Sequence, residues 1–267
     1  VIAERPIPDL AGLRTDFSGP QLELTLASIL AGNTLARLWT GDALALLWDQ
    51  GNNVFYLAGA SRPGDAAPLA ALISGPIRQE ALAHGRPYFR ARALSPALEP
   101  FFSGALAPFA LHPVRKRFYR HHGPAPAASP EPAAVAFVPV DGALFHRRGF
   151  ANLDAIHSEI GLMWPSEARF LARGFGVGAI AGDAIVCWCT AEYVSRRMCG
   201  IGIETVEAWQ NRGIATAAAR RFVRLAFSRG LTPHWECDVE NLPSVRLAEK
   251  LGFTLLEEKA FQAGLFA

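Results

Sequence analysis

The chain has 267 residues, 51% of them apolar and 19% charged. At about 150 residues per domain this is one large domain or two small ones, with enough chain to bury a core and too much apolar content for intrinsic disorder. Lysine and arginine number 26 against 24 aspartates and glutamates, so the net charge of +2 excludes a general nucleic-acid coat but allows a local basic patch for a phosphate. Four cysteines in so long a chain are no disulfide scaffold. The first residues lack the charged-then-apolar pattern of a signal peptide, and the longest weakly polar run, 175–190, is short for a membrane span and carries Asp183. The expectation is a cytoplasmic, reduced protein with neither a membrane nor a nucleic-acid partner.

In chain order, residues 21–30 read as a helix, with Leu22, Leu26, Ile29 and Leu30 on one face, Pro20 before it and Gly32 as its stop. Residues 35–40 and 43–48 read as strands joined by Gly41-Asp42, and 54–57 as a third strand. A helix near 67–73, a strand over 88–94, a helix opened by Ser95-Pro96 and a strand over 114–119 follow, and His121-His122 reads as a solvated strand end. Residues 123–134 then run GPAPAASPEPAA, four prolines and five alanines in twelve, which is a stiff connector rather than packed structure.

Beyond the connector, 135–140 reads as a strand, and 152–160 and 165–172 as helices, Pro165 suiting a first helical turn. Strands over 175–181 and 184–194 are joined by Gly182-Asp183, which suits a tight hairpin. A strand over 198–206, a helix over 213–228 stopped by Gly230, a strand over 233–239, a helix over 242–251 and a strand over 253–261 complete the order. The two stretches share an element order, including the Gly-Asp turns. That repetition predicts two similar α/β units, residues 1–122 and 135–267, separated by the 123–134 linker.

Chemistry concentrates in the second stretch. A strand runs into Gln210-Asn211-Arg212-Gly213-Ile214-Ala215-Thr216, and a helix follows at once. The first turn of a helix carries unpaired N–H groups and a partial positive charge, so it attracts a pyrophosphate. Gly213 allows close backbone approach, and Ala215 keeps the wall low. Further on, Asn241 sits where a strand gives way to a helix and Gly252 where that helix ends; capping accounts for both equally well.

Together the segment from Gln210 to Ala215, a Q/R-x-x-G-x-G/A pattern, and the Asn241-x-x-Ser244 helix ending in Leu251-Gly252-Phe253 resemble the GNAT superfamily of acetyl-CoA-dependent N-acetyltransferases. The Trp235-Glu236-Cys237 strand and the additional first half resemble a bacterial branch that includes zwittermicin A resistance acetyltransferases. The resemblance implies an α/β (α+β) fold with a GNAT-type mixed, mostly antiparallel sheet flanked by helices, preceded by a similar but degenerate domain. It implies acetyl transfer to a primary amine, on a small molecule or peptide, by direct attack in a ternary complex. It also implies backbone donors to CoA from Asn211, Arg212, Gly213, Ile214, Ala215 and Thr216, a pantetheine-pairing strand at Ile203, Glu204 and Thr205, and a cofactor contact at Asn241.

An alkyl ammonium of pKa about 10 cannot attack a carbonyl until it loses a proton. Glu236 and Glu204 both qualify by position as the carboxylate that takes it, and a water relay is the third route. Many relatives carry a tyrosine seven residues after the asparagine; here that position is Ala248, and Tyr193 is the only tyrosine of the second half. A thiol of pKa about 8.5 is a tolerable leaving group without an acid. Ala248 keeps a second reading open, a non-catalytic acyl-CoA-binding or regulatory module. Cys187, Cys189, Cys199 and Cys237 show no C-x2-C zinc spacing, so no metal is expected, and Cys237 is placed near the thioester. Arg220, Arg221 and Arg224 can reach the 3′-phosphate of CoA or form a solvated basic face. In the first half Arg62 and Gly64 stand too close together for the cradle spacing, Asp65 repels a pyrophosphate, and no Asn-x-x-Ser helix follows, so the expected cofactor site is single.

Overall fold

The computed structural model describes residues 2–13, 16–62, 64–127, 130–147 and 149–266, so Ala128 and Ser129 of the connector lie outside the described residues. The chain divides into two compact units. The first comprises Val1–Leu30, Thr34–Lys116 and Lys259–Ala267, the second Ala31–Asn33 and Arg117–Glu258. This division differs from the composition-based one at three places, one of them the assignment of Ala31–Asn33 to the second unit. The first break falls at 116/117 instead of 122, within a continuous strand that carries no compositional signal, and the residues from Lys259 onward join the first unit.

The first unit holds β1 (Ala3–Arg5), α1 (Pro20–Leu30), β2 (Ala36–Thr40), β3 (Leu44–Asp49), β4 (Val54–Gly59), α2 (Ala66–Leu72), α3 (Arg78–Ala83), β5 (Tyr88–Ala93) and α4 (Glu99–Ala105). A π turn at Ile73–Ile77 accommodates Pro76 between α2 and α3. Strands β1 to β4 pair antiparallel in order, and β5 lies parallel to β4, as a helical crossover requires. β3 is buried at every position, which explains its unbroken apolar run Leu-Ala-Leu-Leu-Trp. Residues 262–265 pair antiparallel with β5, and Phe266 follows into the core. Its ring stacks on Phe89 at 4.5 Å and meets Phe109 edge-on at 5.2 Å and Phe55 at 6.1 Å. Phe266→Ala is expected to destabilise this unit by about 3–5 kcal/mol, read as a lower denaturant midpoint.

The second unit takes residues 117–120 of β6 (His112–Arg120), then β7 (Ala136–Pro139), α5 (Gly142–Phe145), α6 (Leu153–Met163), α7 (Glu167–Arg173), β8 (Gly176–Ala181) and β9 (Ala184–Thr190). It continues with β10 (Met198–Gly200), β11 (Gly202–Thr205), α8 (Ile214–Ser228), β12 (Thr232–Asp238), α9 (Leu242–Lys250) and the start of β13 (Thr254–Leu265). The hairpin between β8 and β9 turns on Gly182, whose φ of +59° few other residues adopt at low cost. Helix α8 lays Phe222 against Phe175, ring centroids 4.7 Å apart, and buries Ala217, Ala218 and Ala219, whose small side chains let it approach the sheet.

The single strand expected over 198–206 is broken at Ile201. β10 pairs parallel with β12, with Gly200 opposite His234, whereas β11 pairs antiparallel with β9 in a separate four-stranded sheet ordered β11-β9-β8-β7. β11 and the part of β12 beyond His234 therefore diverge from a common origin and leave a wedge between them. The residues from 205 to 213 carry the chain from the end of β11 to the start of α8.

Candidate functional site

The wedge and the start of α8 form one continuous feature. Gln210 Nε2 donates to the Thr205 carbonyl at 3.1 Å, which ties the loop to the end of β11. Asn211 and Gly213 both take left-handed backbone, at φ +60° and +78°, and turn the chain sharply into the helix. Ala217 is the first residue whose N–H bonds back within α8, to the Gly213 carbonyl at 3.1 Å, so the amides of Ile214, Ala215 and Thr216 precede the helical ladder. No side chain caps this end, and Asn211, Arg212 and Gly213 are exposed. A Cβ placed on Gly213 would meet only Pro132 Cγ, at 4.0 Å. An open turn with first-turn amides and the positive end of a fifteen-residue helix fits a diphosphate.

The remaining sequence-derived residues stand on β11, on β12 and at the start of α9. Ile203, Glu204 and Thr205 on β11 lie opposite Cys189, Trp188 and Cys187 on β9. Cross-strand partners share a face, so Glu204, which is exposed, lies beside Trp188. On β12 the Trp235 indole donates to Ser244 Oγ of α9 at 2.9 Å, and strand alternation therefore turns half-buried Glu236 to the face away from α9. Asn241 caps α9, its side chain accepting from the Ser244 N–H at 3.2 Å. That bond occupies part of its acceptor capacity but leaves its amide group for a ligand.

Other residues fall into different roles. Arg221 is held by Glu131 in a two-point ion pair at 2.6 and 2.7 Å, which keeps the Glu131 carboxyl below its usual range. Arg220 and Arg224 line a groove of about 590 Å³ between α8 and the strands β7 and β8, floored by Phe137 and Val177. Ala248 is fully buried. Tyr119, on β6, belongs to the second unit, so Tyr193 is not that unit's sole tyrosine; burial raises the Tyr119 pKa and the neighbouring Arg117 opposes the shift. His121 is no solvated strand end: its ring is buried between Phe227 and Phe253, and its Nε2 bonds the Leu251 carbonyl at 3.0 Å. All four cysteines are buried and none forms a disulfide; burial pushes the Cys187 thiol up to about 11 and raises Cys189 and Cys199 as well, which disfavours thiolate chemistry at those three. Among the described residues no group of three potential ligands is placed to hold a metal.

One acidic residue escaped the sequence reading. Glu159 on α6 accepts from Trp188 Nε1 at 2.6 Å and from Thr190 Oγ1 at 2.5 Å. Burial raises its pKa; the two hydrogen bonds oppose that shift and nearby Glu204 adds to it. The signal was present: Glu159 stands three residues after Ile156 and four before Met163, on the buried stripe of α6, where a carboxylate needs a reason.

One strand dividing between two sheets, followed by a tight turn into a long helix, gives the second half a GNAT-type fold. The first half repeats the helix, antiparallel strands and parallel crossover strand of that pattern. A family model described as GNAT acetyltransferase matches residues 133–260, just under half of the chain. The chain is similar to the uncharacterized N-acetyltransferase YdfB of Bacillus subtilis (strain 168), 34% identical over 95 residues that cover 36% of each protein, so the match spans about a third of that relative. Among solved structures it resembles a GCN5-related N-acetyltransferase-like protein from Streptococcus suis, with a TM-score of 0.69 at 17% identity over 97% of this chain and 98% of that one. It also resembles a tandem GNAT protein from the clavulanic acid biosynthesis pathway, with a TM-score of 0.59 at 12% identity over 100% of this chain and 98% of that one. At these identities the structural likenesses establish the fold, including its two-lobed form.

Proposed function

We propose that the second unit transfers the acetyl group of acetyl-CoA to a primary amine of a small molecule or peptide, by direct attack within a ternary complex. The observation that carries this reading is the break at Ile201, which opens the wedge immediately before the Gly213 turn. Acetyl-CoA supplies an activated thioester. The chain's own part is to hold the diphosphate on the amides of residues 211–216, to align the pantetheine arm along Ile203, Glu204 and Thr205, and to offer a β11 N–H to the thioester carbonyl, where negative charge develops during attack. Glu236 takes the ammonium proton, directly or through water, with Glu204 as the alternative acceptor; Asn241 adds a contact from α9. No metal takes part. The reading places the protein in the cytoplasm; among the described residues no helix is long and apolar enough to cross a membrane.

Thiol release from acetyl-CoA across a panel of amines tests the reading. Acceleration by an amine is the expected result, whereas slow hydrolysis insensitive to every amine supports the alternative, a non-catalytic acyl-CoA-binding module, which Ala248 favours. The first unit is not expected to bind CoA. Its corresponding turn carries Asp65, whose carboxylate accepts from the Arg62 N–H at 2.8 Å just before α2 and sets a negative charge where an anion would lie. Calorimetric titration should give one CoA per chain, and a second site of similar affinity would overturn the assignment.

A further inference from the structure

We propose that Glu159 is the residue that recognises the acceptor, forming an ion pair with its ammonium group and so selecting cationic amines. The proposal rests on the acetyl-transfer reading of the same unit and adds a residue outside the strands and loops already assigned to it.

Glu159 reaches the sheet from α6, at Trp188 and Thr190 of β9. Those two residues lie opposite Glu204 and Gly202 of β11, the strand that borders the wedge. The carboxylate therefore stands on the face of β11 that Glu204 shares, one strand in from the opening. Both donors that hold it are neutral, an indole N–H and a hydroxyl, so they orient the group without cancelling its charge. The side chain is half-buried rather than sealed, and each carboxylate oxygen keeps acceptor capacity beyond the one bond it makes. A partly desolvated carboxylate with fixed orientation binds an ammonium more strongly than a freely solvated one.

The charged groups around it reinforce this preference. Glu204 faces it from β11, and Glu192, after β9, packs where a Cβ on Gly202 would stand. On its own helix, His157 is engaged by Glu167 at 2.8 Å. The surroundings are acidic, so they raise the cost of keeping Glu159 ionised and lower the cost of placing a cation beside it. Below its raised pKa Glu159 becomes neutral and loses the ion pair, so amine affinity falls as pH falls through that value.

The test uses the full chain saturated with CoA and two probes of one shape, benzylamine, which is cationic at neutral pH, and benzyl alcohol, which is not. Glu159→Gln preserves shape and should weaken benzylamine by fivefold or more while leaving benzyl alcohol and CoA unchanged. The decline of benzylamine affinity at low pH should vanish in the same variant, and Glu159→Asp should recover part of the affinity. Equal benzylamine affinity in wild type and Glu159→Gln, or no benzylamine binding by a wild type that binds CoA, overturns the proposal. Failure of the wild type to bind CoA would instead sink the acetyl-transfer reading, while the comparison of the two probes without CoA still reports on Glu159.

Discussion

Glu236→Gln should lower kcat for acetyl transfer by about 100-fold or more, the usual scale for removing a general base. The amide keeps the shape of the side chain on β12, so acetyl-CoA affinity should change little, and the loss should appear in kcat rather than in cofactor binding. The side chain lies on the face of β12 away from α9, beyond the point at which β10 leaves the ladder, so little of the helix packing depends on its charge. The acidic limb of the rate profile should disappear with the carboxylate. A nearly normal kcat with an unmodified limb would remove Glu236 from the mechanism and pass the role to Glu204.

Gly213→Glu should weaken CoA binding at least tenfold, about 1.4 kcal/mol or more. Two effects combine. At φ +78° any side chain carries backbone strain of about 1–2 kcal/mol, and a carboxylate at the helix start opposes the diphosphate. Gly213→Ala separates them, since it has the same strain without the charge, and a Cβ there has room beside Pro132. If Glu and Ala weaken CoA equally, strain alone accounts for the loss; if neither changes affinity in a folded protein, the diphosphate lies elsewhere.

Much of the fold was legible because its signals are local. The apolar stripe of α1, the Gly-Asp turns and the glycine after α8 depend on residues within a few positions of one another. The turn into α8 was legible for the same reason: Gly213 and the alanines behind it announce a slim helix start. The wedge was not. Ile201 lies in an unbroken strand-like run, and only the choice of partners, β12 for one side and β9 for the other, divides it. β1 was missed because its three residues are all exposed and show no apolar alternation. The unit boundary at 117 was missed because partner choice, not composition, decides where one strand changes allegiance. Glu159 shows the reverse case, a local anomaly on a buried stripe whose meaning appears only when Trp188 and Thr190 arrive from another element.

The return of the chain's last residues to the first unit bears on the order in which the protein can be completed during synthesis. Nascent domains ordinarily fold as they emerge, N-terminal unit first. Here the outer edge of β5 and the space among Phe55, Phe89 and Phe109 are filled by residues 262–266, which leave the ribosome after every element of the second unit has been made. Until then β5 presents unpaired N–H and C=O groups beside exposed aromatic rings, the condition in which strand edges recruit foreign chains. The earliest part of the chain to be translated is thus the last to close, and a polypeptide interrupted near residue 258 would leave that part permanently open while the later one holds its full set of strands.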